Sequence, residues 1–105
     1  MRLISKKNLL LAIAPYPDAQ NPIESWYKLF QQNDWGSLEE VRKEYSKSVD
    51  EVYGYTIFNI KGNRYRLIVQ IRYRAKIIFF KTFLTHAKYS EINWNDESKV
   101  RQKIG

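Results

Sequence analysis

Arg66, Lys81, His86 and Tyr89 are residue types that can act on a phosphodiester. RNA is cleaved without a metal when its own 2′-OH attacks the adjacent phosphate. That reaction needs a base for the hydroxyl, an acid for the departing 5′-oxygen, and cations around the charge that builds at phosphorus. An arginine in mid-strand offers a rigid guanidinium fork for a phosphate. Histidine is the residue type that gives or takes a proton near neutrality. Tyr89, three residues on, can orient the imidazole, stack on a base or shift a proton. Asn59 and Asn63 flank a short turn and can position a 2′-OH or a phosphate oxygen, and Arg64, Arg72 and Lys88 complete the set as RNA contacts. Plainer roles compete: a lone histidine after a strand is often a cap, and Arg72 and Arg74 suit a solvated edge.

Charge is distributed in a way that supports a polyanionic partner. The net charge is +7, and no acidic residue lies between Glu51 and Glu91. That gap holds eight positive residues: Lys61, Arg64, Arg66, Arg72, Arg74, Lys76, Lys81 and Lys88. The remainder carries ten positive and eleven negative residues. An acid-free basic face builds a potential that attracts nucleic acid or an acidic protein segment.

Other chemistries lack their residues. There is no cysteine, so disulfides, thiolate zinc sites and cysteine nucleophiles are excluded. One histidine excludes a multi-histidine metal site. No carboxylate pair lies in the basic half for a two-metal nuclease or a glycosidase, and no Gly-rich phosphate loop is present. No metal or cofactor is expected. The apolar stretch Leu9–Ala14 spans six residues, short of the roughly 7 to 15 of a secretory signal, and Pro15 follows it. No run approaches the ~20 apolar residues of a membrane span. The expected compartment is a reducing cytoplasm.

The elements that must position these residues can be read from periodicity. With 105 residues, 44% of them apolar, the chain has the size of one domain with a real core. Met1 to Ile4 suits a short edge strand, and Ser5 suits the cap of a helix running through Asn8 to Ala14. Asn21 and Pro22 suit a helix start, with Glu24 reaching back, and Ile23, Trp26, Tyr27 and Phe30 form an apolar stripe. Ser37-x-x-Glu40 opens a third helix with Leu38, Val41 and Tyr45 on one face; 46–50 reads as a loop. The period then becomes two. Strands are expected over 55–60, 64–74 and 77–84, joined by turns at 61–63 and 74–76. In the second strand the odd positions Tyr65, Leu67, Val69, Ile71 and Tyr73 are apolar. The even positions carry Arg64, Arg66, Arg72 and Arg74, so that face should be basic and open. Lys81 shares parity with Ile77, Phe79 and Phe83, and reaches the open face only if a bulge intervenes. The expected fold is α+β: N-terminal helices packed on one face of a small twisted antiparallel sheet. Residues 1–95 make this domain, and 96–105 a polar C-terminal tail, frayed or briefly helical.

The run Ile57-Phe58-Asn59-Ile60-Lys61-Gly62-Asn63-Arg64-Tyr65-Arg66-Leu67-Ile68-Val69, with Thr85-His86-Ala87-Lys88-Tyr89 and Ile92-Asn93-Trp94, resembles the HigB family of bacterial toxins. These are RelE-like mRNA interferases of type II toxin–antitoxin modules. Met1-Arg2-Leu3-Ile4-Ser5, Trp26-Tyr27 and Asp34-Trp35 extend the likeness over residues 1 to 94. The resemblance implies a RelE-like sheet, and cleavage of mRNA in the ribosomal A site. It also implies neutralisation by a helix-turn-helix antitoxin. Arg66 matches the strand arginine that contacts the scissile phosphate, and His86 and Tyr89 match the carboxyl-end pair. Lys81 falls where relatives carry a basic residue, whereas Asn59 stands at about one of RelE's lysine positions. A non-catalytic RNA-binding module and a domain that binds an acidic protein segment are the rival readings.

Overall fold

A computed structural model describes all residues from 1 to 105. Strand β1 (Arg2–Ile4) leads into helix α1 (Lys6–Ile13). A 3-10 turn at Pro17–Ala19 runs into α2 (Gln20–Gln32), and α3 (Leu38–Glu44) follows. Then come β2 (Asp50–Val52), β3 (Tyr55–Ile60), β4 (Tyr65–Arg72) and β5 (Ile77–Thr85). Two short helices, α4 (His86–Glu91) and α5 (Glu97–Ile104), end the chain. The sheet order is β1-β5-β4-β3-β2.

The fold is α+β, as the change of period indicates. The sheet is mixed rather than wholly antiparallel, because β1 lies parallel to β5. Parallel pairing needs a long crossover, and here everything between β1 and β5 supplies it. The α-ammonium of Met1 fixes this edge. It donates to the Phe30 and Asn33 carbonyls at the end of α2, each at 2.8 Å, and to Asp34 Oδ1 at 2.8 Å. A cation at a helix carboxyl end is favourable because unpaired carbonyls gather there.

The helix starts were partly legible. Ser37 caps α3 by accepting from Glu40 N, and Glu40 Oε2 accepts in turn from Gly36 N. Asn21 does not cap α2. The 3-10 turn carries the chain into helix two residues earlier, at Gln20, and puts Pro22 inside the first turn; Ser5 likewise makes no side-chain capping bond to α1. The α2 stripe behaves as its spacing requires: Ile23, Trp26 and Phe30 are each 1% exposed. Trp26 stacks on Phe30, and both rings meet Phe58 of β3 edge-on. Tyr65, Leu67 and Val69 bring β4 into the same core.

The opposite face departs from expectation. It is not open along its length. Val100 and Ile104 of α5 pack on Tyr55, Ile57 and Ile68, so the polar C-terminal segment completes a second small core. Asp96 caps this helix by accepting from Lys99 N. Arg101 hydrogen-bonds the Tyr53 carbonyl, and its guanidinium lies over the Tyr55 ring. Two well-spaced apolar residues in a charged segment were enough to dock it.

The acid-free stretch is also not acid-free in space. Asp18, on the 3-10 turn, accepts from Arg64 Nη1 at 2.7 Å and from the Tyr65 hydroxyl at 2.5 Å. Lys61 Nζ stands 3.4 Å away. The Tyr65 hydrogen bond, then Arg64 and Lys61, hold the Asp18 carboxyl down to about 2.

Two outcomes are expected. Truncation after residue 95 exposes Ile57 and Ile68 and forfeits burial of two aliphatic side chains, about 3 to 6 kcal/mol; the urea midpoint should fall accordingly. An unchanged midpoint would show that α5 does not contribute. For Asp18, the unfolded carboxyl titrates near pH 4 and the folded one near 2. The unfolded chain therefore binds more protons between those values, and stability rises with pH across the window. Asp18's contribution is complete above about pH 4 and lost as pH falls through about 2. In Asp18→Asn the decline from pH 4 to 2 should be shallower, read by urea denaturation at a series of pH values.

Candidate active site

Arg66 is the centre of the site and is 7% exposed. It sits in mid-sheet, directly opposite Asn59 on β3 and Leu84 on β5. Its even position turns it to the face that α5 partly covers, as the alternation of β4 predicts. A buried guanidinium must have partners, and these come from four directions. Nη1 donates to the Asn63 and Tyr65 carbonyls, each at 3.2 Å. Nη2 donates to Asn63 Oδ1 and lies 3.4 Å from His86 Nδ1. The Tyr89 ring lies 4.8 Å from the guanidinium carbon, in cation–π contact.

Local structure explains why these groups meet. The hairpin at Lys61-Gly62 takes left-handed backbone at both residues. Asn63, which is not left-handed, is thereby returned beside the strand it precedes. At the other end of the pair, Thr85 closes β5 and caps α4, accepting from Lys88 N at 3.2 Å. The cap turns the chain, and His86 N donates to the Arg64 carbonyl at 2.8 Å. His86 is thus pinned to the start of β4. Tyr89 is held from behind: its ring packs on Trp94 at 5.0 Å, and its carbonyl accepts from Trp94 Nε1 at 3.1 Å. The Trp94 carbonyl accepts from the Tyr53 hydroxyl at 2.8 Å.

A guanidinium can only donate, so His86 Nδ1 is the acceptor in its contact with Arg66. In a neutral imidazole this arrangement suits the tautomer that carries its hydrogen on Nε2. His86 lines an open cleft with Lys61, Asn63, Arg64, Tyr65, Thr85 and Ala87.

Lys81 lies on this face with Ile77 and Phe79, which pair with Arg72 and Gln70, and a bulge then returns Phe83 to the core. Ile68 pairs with Thr82 and Val69 with Phe80, which leaves Lys81 as the extra residue. Alternation beyond Phe80, on the core face, turns Lys81 to the Arg66 side. It adjoins the ladder position two residues along β4 from Arg66, roughly 7 Å away by strand rise.

Of the residues singled out by sequence, the structure brings together Arg66, His86, Tyr89 and Asn63, with Asn59 alongside. Arg64 stands at the cleft rim, paired with Asp18. Lys88 is exposed on α4. Arg72 pairs across to Ile77 at the far end of β4, roughly 20 Å from Arg66 along the strand. Asp18, Trp94 and Tyr53 were not singled out for the site. Thr85 is a residue type that caps helices, but no helix was expected after it; Asp18, 46 residues from Arg64, had no local signal. No group of three His, Cys, Asp or Glu side chains comes together anywhere as a metal site.

With this geometry in view, two comparisons bear on the chain. Residues 19–92 match the model of the HigB toxin family, described as the RelE-like toxic component of a toxin–antitoxin system. An mRNA interferase HigB from Escherichia coli O6:H1 is 26% identical over 94 residues, covering 88% of this chain and 91% of the relative. The matched family region contains β3, β4, β5 and α4, and so every residue of the Arg66 cluster. This chain belongs to the HigB family, the RelE-like toxic component of a toxin–antitoxin system.

Proposed function

We propose that the chain is an endoribonuclease that cleaves mRNA on the translating ribosome, without a metal, and that a helix-turn-helix antitoxin holds it inactive in the cytoplasm. The observation that carries this reading is the Arg66 cluster: a fixed cation, an imidazole and a tyrosine ring at the edge of an open basic cleft. The E. coli relative named as an mRNA interferase supports the substrate class. The residue types at the cleft suit cleavage by the 2′-OH, which needs proton transfer and cations only.

Arg66 supplies positive charge where the phosphorane-like transition state gains negative charge. Its partners leave it no freedom to swing, so its charge is in place before substrate arrives. His86 acts from the cleft side. With Nδ1 turned to Arg66, Nε2–H is a hydrogen-bond donor, and we assign it to a phosphoryl oxygen, where the neutral imidazole keeps its proton; the proton lost by the 2′-OH and the one gained by the departing 5′-oxygen are exchanged with solvent in the open cleft. The opposite tautomer would set an N–H against the Arg66 N–H. Lys81 adds a second cation along the strand, and Asn59 lies beside Arg66 within reach of the same phosphate. Tyr89 holds Arg66 by its ring, which leaves its hydroxyl available to the substrate. Lys88, Arg64 and Asn63 line the approach; Arg72 contributes to binding at a distance.

One observation favours the binding-only alternative: four N–H directions of Arg66 are already engaged within the protein. Single-turnover cleavage of saturating ribosome–mRNA complex decides between them. Arg66→Ala and His86→Ala should each lower that rate by about 10²- to 10⁴-fold, with the fold retained by circular dichroism. Gln places an N–H near the Nε2 position and Asn near Nδ1, so His86→Gln should retain more activity than His86→Asn. Equal loss in both defeats the donor assignment. Arg72→Ala should leave the rate near wild type. A wild-type chain that binds RNA and leaves it intact on and off the ribosome would establish the binding module instead.

Binding itself should be dominated by phosphate contacts. Log affinity for single-stranded RNA should fall with log salt at about −0.7 per phosphate, so a slope near −3 corresponds to about four contacts. A flat salt dependence speaks against any RNA reading.

A further inference from the structure

Lys61, Arg64 and Tyr65 stand together on the rim of the cleft that His86 lines. All three aim at one carboxylate. Asp18 Oδ2 takes Arg64 Nη1 at 2.7 Å and lies 3.4 Å from Lys61 Nζ. Asp18 Oδ1 takes the Tyr65 hydroxyl at 2.5 Å. The carboxylate comes from the 3-10 turn on the helical layer, and the proposed reaction leaves it without a role.

Two cations and a phenol converging on two oxygens make a donor set for an anion with two oxygens on one atom. The non-bridging oxygens of a phosphodiester present the same pattern, and an arginine fork fits carboxylate and phosphate alike. The ion pairs that hold the present occupant are open to water, and the Tyr65 hydroxyl is its tightest tie. Side-chain exposure is 65% for Arg64, 44% for Lys61 and 27% for Asp18, and ion pairs this open to water contribute little. Asp18 can leave by rotation about two side-chain bonds. The turn that bears it need not move, because Ala19 is fully buried and Tyr16 packs on the Tyr65 and Phe83 rings at 5.2 and 5.9 Å.

We infer that Asp18 is a displaceable placeholder in a phosphate seat formed by Lys61, Arg64 and Tyr65, and that a backbone phosphate of bound RNA takes the seat as Asp18 leaves. The seat is locked to the Arg66 cluster: the Arg64 carbonyl accepts the His86 N–H at 2.8 Å, and Arg66 is two residues on. It would therefore hold a phosphate neighbouring the one at Arg66. In the free chain Asp18 offsets one of the two positive charges at this corner, which lowers its attraction for unrelated polyanions. The inference rests on the RNA reading above. Its rival is that Asp18 only ties the turn to the hairpin, and the two differ in what removal of the charge does to RNA affinity.

The test uses the full chain and a 2′-O-methyl RNA oligomer, which lacks the attacking hydroxyl and is not cleaved. Asp18→Asn keeps the shape and can accept from Tyr65, but it offers no charge to compete. It should bind the oligomer about three- to tenfold more tightly than wild type. The gain should vanish when Arg64→Ala is added and compared with Arg64→Ala alone. Glu39→Gln, the same change of net charge on α3, should leave affinity unchanged. In the wild-type chain, the carboxylate ¹³C resonance of Asp18 should shift when the oligomer saturates it, a readout that needs no variant. Affinity of Asp18→Asn equal to wild type, a gain matched by Glu39→Gln, or an unmoved Asp18 resonance overturns the seat. A wild-type chain that does not bind the oligomer at all brings down the RNA reading with it.

Discussion

A cation kept almost wholly out of water has to be surrounded by acceptors, and Arg66 imposes that constraint on this molecule. It projects from the middle of β4, where desolvation would be costly without partners. The solution draws on the hairpin before it, the main chain beside it, the imidazole that opens α4 and the ring one turn later. Each partner is also a residue that lines or supports the cleft. The requirement to satisfy one guanidinium thus assembles the site. Asn63 illustrates the economy of the arrangement: its side-chain and main-chain oxygens both serve Arg66.

Support for the cluster extends outward in layers. Trp94 and Tyr53 back Tyr89, and Thr85 fixes the angle at which α4 leaves β5. Behind β4, the stacked aromatic rings of α2 and β3 make a stiff floor. On the near side, α5 seals the sheet beyond Ile68 and leaves the Arg66 end accessible. That division of one sheet face into a dry half and a polar half is what turns a basic strand into a localised site. The bulge at Lys81 adds to it, returning Phe83 to the core parity while Lys81 stays on the face of Arg66.

Electrostatics follows the same logic of local compensation. The sequence concentrates eight positive residues in one stretch, yet folding disperses them. Arg72 and Arg74 go to the far end of the sheet. Lys76 turns to the Asp34 and Trp35 carbonyls. Lys61 and Arg64 meet Asp18. What faces the cleft is a smaller, partly neutralised set, and the field there depends on one carboxylate contributed from the helical layer.

Local pattern by itself determined much of this. Period-two alternation fixed which residues of β4 face the helices and that Arg66 faces the other way, because strand side chains alternate by geometry. Helical spacing identified Ile23, Trp26 and Phe30 as core, and Ser37 as a cap, because both depend on residues within one turn. The motif blocks around Asn59–Arg66 and Thr85–Tyr89 indicated the family. Tertiary structure alone decided the rest. The parallel pairing of β1, the docking of α5 through Val100 and Ile104, and the Asp18–Arg64 contact all join residues far apart in the chain, and no short-range preference encodes such meetings. The openness expected of the basic face failed for that reason: alternation tells which way a side chain points, but only packing tells what arrives to cover it.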